Sequence, residues 1–182
     1  MSRFATATLL MSCLILLACL ATSPESAAEQ ALGGEARGVR PGPLHRPGQP
    51  CLVCHGEDHS PGGLIYEIAG TVYDSATDSR GLGNAEVVLT DASGNELVMR
   101  SNGAGNFFIS VDNNVSAPRG GFAGQLVVPR GLKFPLRATV RRGDVEQKMQ
   151  GLIWRKSSCA DCHRREVDET SNGPIYLQAE LP

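Results

Sequence analysis

One five-residue pattern occurs twice, as "CLVCH" from Cys51 to His55 and as "CADCH" from Cys159 to His163, about a hundred residues apart. Only a folded domain brings two such distant segments into a common site. The chain has six cysteines. Cys13 and Cys19 lie near the N-terminus, and the other four all belong to these two pairs, so none remains for a separate structural disulfide.

The N-terminus explains why each pair needs a destination. Arg3 is followed by an apolar run from about Leu9 to Ala21, shorter than the ~18 residues a membrane span requires. Small residues Ser26, Ala27 and Ala28 then offer a cleavage site before Glu29. The pattern predicts a secretory signal peptide over residues 1–28. An alternative is a lipoprotein signal ending at residue 18, with Leu16-Leu17-Ala18-Cys19 as the acylation site. Either way the mature chain is expected outside the cytoplasm, in the periplasm, on the outer surface or extracellular. Unprotected thiols would oxidise there. A membrane partner is expected only if Cys19 carries lipid. The formal net charge of -2 supplies neither a nucleic-acid footprint nor a polybasic membrane patch.

Three chemistries use C-x-x-C. Four thiolates from both pairs could close a structural zinc site, but zinc does not explain the residue after each second cysteine. Histidine occupies four of 182 positions, so chance would place one after both pairs roughly a few times in ten thousand. A thioredoxin-like redox pair would open a helix after a strand, a context neither flank suggests. Covalent haem attachment uses every element of the pattern: two sulfurs spaced for the two vinyl groups of one porphyrin, and an imidazole for the iron. The expectation is two haem c groups. Cys51, Cys54, Cys159 and Cys162 would be the covalent anchors, and His55 and His163 the proximal iron ligands.

The only other histidines are His45 and His59, the number needed for bis-histidine ligation of two irons. His45 precedes Cys51 by a proline-broken stretch and could arch over the first haem. His59 follows His55 too closely to cross the same porphyrin, so the second iron is its better target. Met99 and Met149, the other soft candidates, fall in segments that read as strands and are assigned to core packing.

Composition divides the chain. Residues 29–63 are rich in Gly and Pro and read as irregular chain around the first pair. Residues 64–153 contain short β-branched or aromatic segments: "LIYEIAGTVYD", "AEVVLTD", "ELVMRS", "NFFISV", "GQLVVP", "FPLRATVRR" and "VEQKMQGLIW". Gly/Asn turns separate them, which predicts an all-β, antiparallel Ig/transthyretin-like β-sandwich of about seven strands. "RGD" at Arg142–Asp144 reads as a hairpin turn. Residues 154–182 turn polar, carry the second pair, and end on "PIYLQAEL", a possible final strand. Arg164-Arg165 could neutralise haem propionates.

The stretch "AGTVYDSATDSRGLGNAEVVLTDASGNELVMRSNGAGNFFI" resembles the carboxypeptidase-regulatory-like, transthyretin-like sandwich family over roughly residues 65–151, which implies scaffold architecture rather than chemistry. With "CLVCH" and "CADCH" behind a leader, the chain also resembles exported bacterial dihaem c-type cytochromes, although its β-rich centre departs from the mostly helical small members. The resemblance implies electron transport with redox partner proteins and no enzymatic activity. Two other outcomes are distinct. In one, a distal histidine supplied by a neighbouring molecule builds a haem-chain assembly or filament. In the other, a haem enzyme or sensor keeps one iron open, but no constellation among Glu57, Asp58 and Asp161 suggests it.

Overall fold

The computed structural model describes Ala27 and residues 30–35, 37–57, 63–129, 131–166 and 168–177. Apart from Ala27, the expected leader with Cys13 and Cys19 lies outside the described residues, as do His59 and Asp58. Met1–Gly33 and Gly34–Pro182 are separate compact units, and the fold below is that of the second. Among the described residues no helix is long and apolar enough to cross a membrane.

The second unit is an all-β sandwich. Seven strands have four residues or more: β1 (Tyr66–Tyr73), β2 (Glu86–Thr90), β3 (Glu96–Arg100), β4 (Asn106–Val111), β6 (Gln125–Val128), β7 (Arg137–Arg142) and β8 (Val145–Lys148). Three are two-residue strands: β5 (Arg119–Gly120), β9 (Ser157–Ser158) and β10 (Ile175–Tyr176). One sheet runs β10-β1-β4-β6-β5, and the other β3-β2-β7-β8. Alternating residues meet between the sheets. Ile68 and Val72 of β1, Phe107 and Ile109 of β4, Val87 and Leu89 of β2, and Val140 of β7 form the core with Leu126, Leu136 and Leu177. These residues fall on alternate positions, the face each strand turns to the other sheet, while the other residues of β1 and most of β4 are buried as well. Arg142 ends β7 and Val145 begins β8, so the "RGD" tripeptide makes the turn, with Gly143 at a φ of +59°.

Two departures from the sequence reading bear on the site. The flank around Cys51 is not wholly irregular: Leu52–His55 forms one helical turn, α1. It is closed by the Cys51 carbonyl, which accepts from the Cys54 and His55 N–H groups at 3.2 and 2.9 Å. The segment "VEQKMQGLIW" is also not one strand. β8 stops at Lys148, and the chain turns through Gln150 and Gly151 before Ile153 bridges Leu136.

β1 is buried along its whole length because both faces and both edges are covered. β4 takes one edge. On the opposite edge, β9 pairs in parallel with Ile68–Ala69 and β10 with Val72–Tyr73. Residues 43–56 cross the outer face. They are pinned where Asn106 Nδ2 donates to the Pro43 and His45 carbonyls (3.2 and 3.0 Å), Asn102 Nδ2 donates to the Pro43 carbonyl (2.6 Å), and the Gly48 N–H donates to Thr71 Oγ1 (2.7 Å).

Candidate haem-binding sites

The second C-x-x-C-H segment leaves β9 and returns as β10, so it forms a loop on the edge of β1. Cys159–Asp161 make a 3-10 turn whose closure repeats that of α1. The Cys159 carbonyl accepts from the Cys162 and His163 N–H groups at 3.1 and 2.8 Å. Asp161 Oδ2 reaches back to the Ser158 N–H at 3.2 Å. The two motifs thus share the same two closing hydrogen bonds, one on an α-turn and one on a 3-10 turn, despite sharing only Cys, Cys and His.

They also meet. The Leu52 N–H donates to Ser158 Oγ at 2.8 Å, joining the residue after Cys51 to the residue before Cys159. Cys159 packs beside Gly70, where an added Cβ would lie 2.9 Å from its Sγ and 2.7 Å from Phe107 Cζ. Cys51 packs on the outer face with Tyr66, Ala69 and Phe108. Burial pushes the Cys51 thiol up to about 11 and the Cys159 thiol up to about 12, the latter aided by Cys51 itself. Reactive redox cysteines need the opposite, a stabilised thiolate. Cys51, Cys159 and Cys162 form no disulfide. Among the described residues no group of three or more His, Cys, Asp or Glu side chains is arranged to hold a metal ion.

The imidazoles share a second feature. His55 Nδ1 lies 3.0 Å from the Leu64 carbonyl, and His163 Nδ1 lies 3.0 Å from the Gly173 carbonyl. A carbonyl can only accept, so Nδ1 carries the proton in each ring, and in a neutral imidazole Nε2 is then the nitrogen with the lone pair. His45 follows the same rule with Glu35 Oε1 at 2.9 Å. Burial raises the Glu35 carboxyl, but hydrogen bonds from Arg46 (3.0 Å) and His45 outweigh it and hold the carboxyl below its ordinary range.

The His45 and His55 ring centroids are 6.1 Å apart, with planes at 62°. Two imidazoles binding one metal from opposite sides, with bonds of about 2.0–2.1 Å each, place their centres roughly 6 Å apart. Beneath them His55 lies 4.8 Å from the Tyr66 ring, which stacks on Phe108 at 5.0 Å and 10°. Leu44, Leu64 and Ile65 beside this pair remain 53, 37 and 40 % exposed. An iron between two imidazoles within a flat apolar body fits this donor set and its apolar surround.

The surroundings of His163 differ. A cavity of about 460 Å³ opens between the two sheets, within the range of small-molecule and cofactor sites. Core residues Val87, Leu89, Phe107, Ala138 and Val140 line it, Trp154 stands at its mouth 69 % exposed, and Cys159, Cys162 and His163 line it as well. An apolar slot with two thiols and an imidazole fits a porphyrin attached through Cys159 and Cys162. His45 is not among the residues lining this cavity. Arg164 Nη2 is engaged by Asp168 at 2.9 Å, and Arg165 lies over the Tyr73 ring at 5.5 Å.

Sequence reasoning missed several of these residues. Glu35 carries no signal, standing ten residues from His45 in a Gly-rich stretch. The Leu64 and Gly173 acceptors are backbone groups and leave no mark on a side-chain pattern. Ser158 had a readable one, the Ser-x-x-Asp spacing to Asp161 that marks a helical start. Met99 is a core residue, 4 % exposed. Met149 is not, contrary to the strand assignment: it lies past the end of β8, 37 % exposed, and lines the cavity. No family model, curated protein or solved structure matches the chain.

Proposed function

We propose that the protein is an exported electron carrier holding two covalently attached c-type haems, one on each C-x-x-C-H turn, and working with redox partner proteins. The observation that carries this reading is the repetition: two segments with different intervening residues close through the same two hydrogen bonds. Each also directs its histidine Nδ1 to a backbone carbonyl at the same 3.0 Å. When bound, haem supplies reversible one-electron exchange at iron.

The chain's own residues do the rest. Cys51 and Cys54 would hold the first group covalently, with His55 and His45 as the imidazoles that would bind its iron and Glu35 orienting His45. Tyr66 and Phe108 form an aromatic floor that excludes water from the His55 side. Cys159 and Cys162 anchor the second group with His163 proximal, and the walls of the cavity between the sheets supply its apolar bed. The Ser158–Leu52 hydrogen bond fixes the spacing of the two anchors, so that an electron can pass between the sites inside one molecule.

The test is intact-protein mass spectrometry and low-temperature EPR on the protein matured in a host that attaches c-type haem. Two haem additions, one lost in a Cys51→Ala/Cys54→Ala variant and the other in a Cys159→Ala/Cys162→Ala variant, support the reading, as does low-spin iron at both sites. A protein without covalent haem that carries zinc instead would overturn it.

A further inference from the structure

We propose that Met149 supplies the sixth ligand of the second haem iron, so that the two haems of one molecule differ in ligation and potential. The inference rests on the two-haem reading above and replaces the expectation that all four axial positions opposite and beside the anchors are histidines.

The strand register carries it. β7 and β8 pair with Thr139 opposite Lys148 and Val140 opposite Gln147. One step further, the Met149 N–H donates to the Ala138 carbonyl at 2.9 Å, continuing the ladder past the end of β8. Side chains opposite one another in a pair share a face, so Met149 goes with Ala138 while Lys148 goes with Thr139. Ala138 lines the cavity, and so does Met149. Lys148, which also borders the cavity, carries its ammonium out to an exposed ion pair with Glu146 at 3.0 Å.

The cavity therefore has two edges of different origin. The loop on β1 brings Cys159, Cys162 and His163 from the first sheet, and β8 brings Met149 from the second. An imidazole from the loop on the edge of β1 and a thioether from just past the end of β8 thus border the same cavity from different sheets.

The donor inventory agrees. Among the described residues lining the cavity, His163 is the only imidazole and Met149 the only thioether. Lys148 is engaged by Glu146. Asn172 offers a carboxamide and Tyr176 a phenol, both harder donors than a thioether. Thioether sulfur is a soft ligand suited to haem iron, and His/Met ligation raises the potential relative to other axial sets. The first site, with His45 and His55, is then the low-potential one and the second the high-potential one. An electron entering the molecule settles at the site between the sheets.

The experiment uses the full-length holoprotein and the variants Met149→Ala and Met149→His, with mass spectrometry confirming two haems in each. The expected wild-type spectrum of the oxidised protein shows a far-red sulfur-to-iron charge-transfer band, and potentiometry resolves two waves. Met149→Ala abolishes the band and turns one of the two irons high-spin. Met149→His restores low-spin iron without the band and shifts only the upper wave, downwards. A wild type without the band, a Met149→Ala spectrum identical to wild type, or a His59→Ala variant that opens the second iron would each overturn the assignment of Met149. Any of these with two haems still attached leaves the two-haem reading standing. Absence of covalent haem in the wild type defeats both.

Discussion

Gly70 has no side chain, and Cys159 occupies the room this leaves against β1. A methyl group there would meet Phe107 Cζ at 2.7 Å and Cys159 Cβ and Sγ at 2.9 Å, closer than real Cβ contacts come. Neither neighbour can yield easily, because Phe107 is 2 % exposed in the core and Cys159 starts a closed turn. Gly70→Ala is expected to displace the second anchor and leave part of the matured population with a single haem, read as a mass deficit mapped to the Cys159 peptide. Ser158 acts at the same scale. It is 2 % exposed and accepts the Leu52 N–H, so Ser158→Ala leaves a half-buried donor without this partner. The expected cost is about 1 kcal/mol of stability, measured by urea denaturation of the holoprotein. Neither residue announces its role in the sequence. A glycine within "EIAGTVY" reads as a weak point of a strand, and its meaning appears only when a residue from about ninety positions later arrives beside it.

At the scale of elements, one carboxylate gathers the tip of the loop between the 3-10 turn and β10, whose base is tied by Ser171 Oγ and the Asn172 N–H. Asp168 accepts from Thr170 Oγ1 (2.7 Å), from the Thr170 N–H (2.7 Å) and from Arg164 Nη2 (2.9 Å). These bonds lower its pKa from 3.8 to about 2. A depressed carboxylate stabilises the fold above its ordinary pKa, and that contribution disappears as pH falls through the depressed one. Protection of the Thr170 amide from hydrogen exchange is therefore expected to persist at pH 4 and to fall as pH approaches about 2. Asp168→Ala should lose it at every pH. Elements also set how much could be read in advance. The seven longer strands were legible because apolar residues alternate between Gly/Asn turns. β9 was not, since "SS" has no strand signature and pairs only because the edge of β1 is open to it. Met149 was misassigned for a related reason. "VEQKMQGLIW" reads as one continuous run, and nothing in it marks where the ladder gives way to a turn at Gln150–Gly151.

For the whole molecule, the fold class was legible and the shape of the site was not. Hydrophobic period predicts two sheets and a core. It does not predict that the sheets part at one side to leave a cavity of about 460 Å³, because an opening is a property of how edges are covered rather than of any strand. The same reasoning gives a prediction for the intact protein. If that space is filled on maturation, the molecule lacking Cys159 and Cys162 keeps a vacant apolar slot. It should bind a hydrophobic dye and unfold at lower denaturant than the variant lacking Cys51 and Cys54, whose group would lie on the outer face. Equal midpoints for the two variants would contradict the assignment of the second site to the interior.

The placement of β9 and β10 has a consequence for how the protein is made. Residues of the final segment guard one edge of β1, an eight-residue strand, so a chain interrupted before Ser157 would present bare backbone groups to any passing chain. The second C-x-x-C-H segment lies between the same two guarding strands. A nascent protein that fails to seat this segment would therefore leave the edge of β1 open and, on the function proposed above, would lack its second haem as well. One exposed strand edge would then mark both defects, and a protease that senses the open edge would remove such copies without having to recognise a missing group.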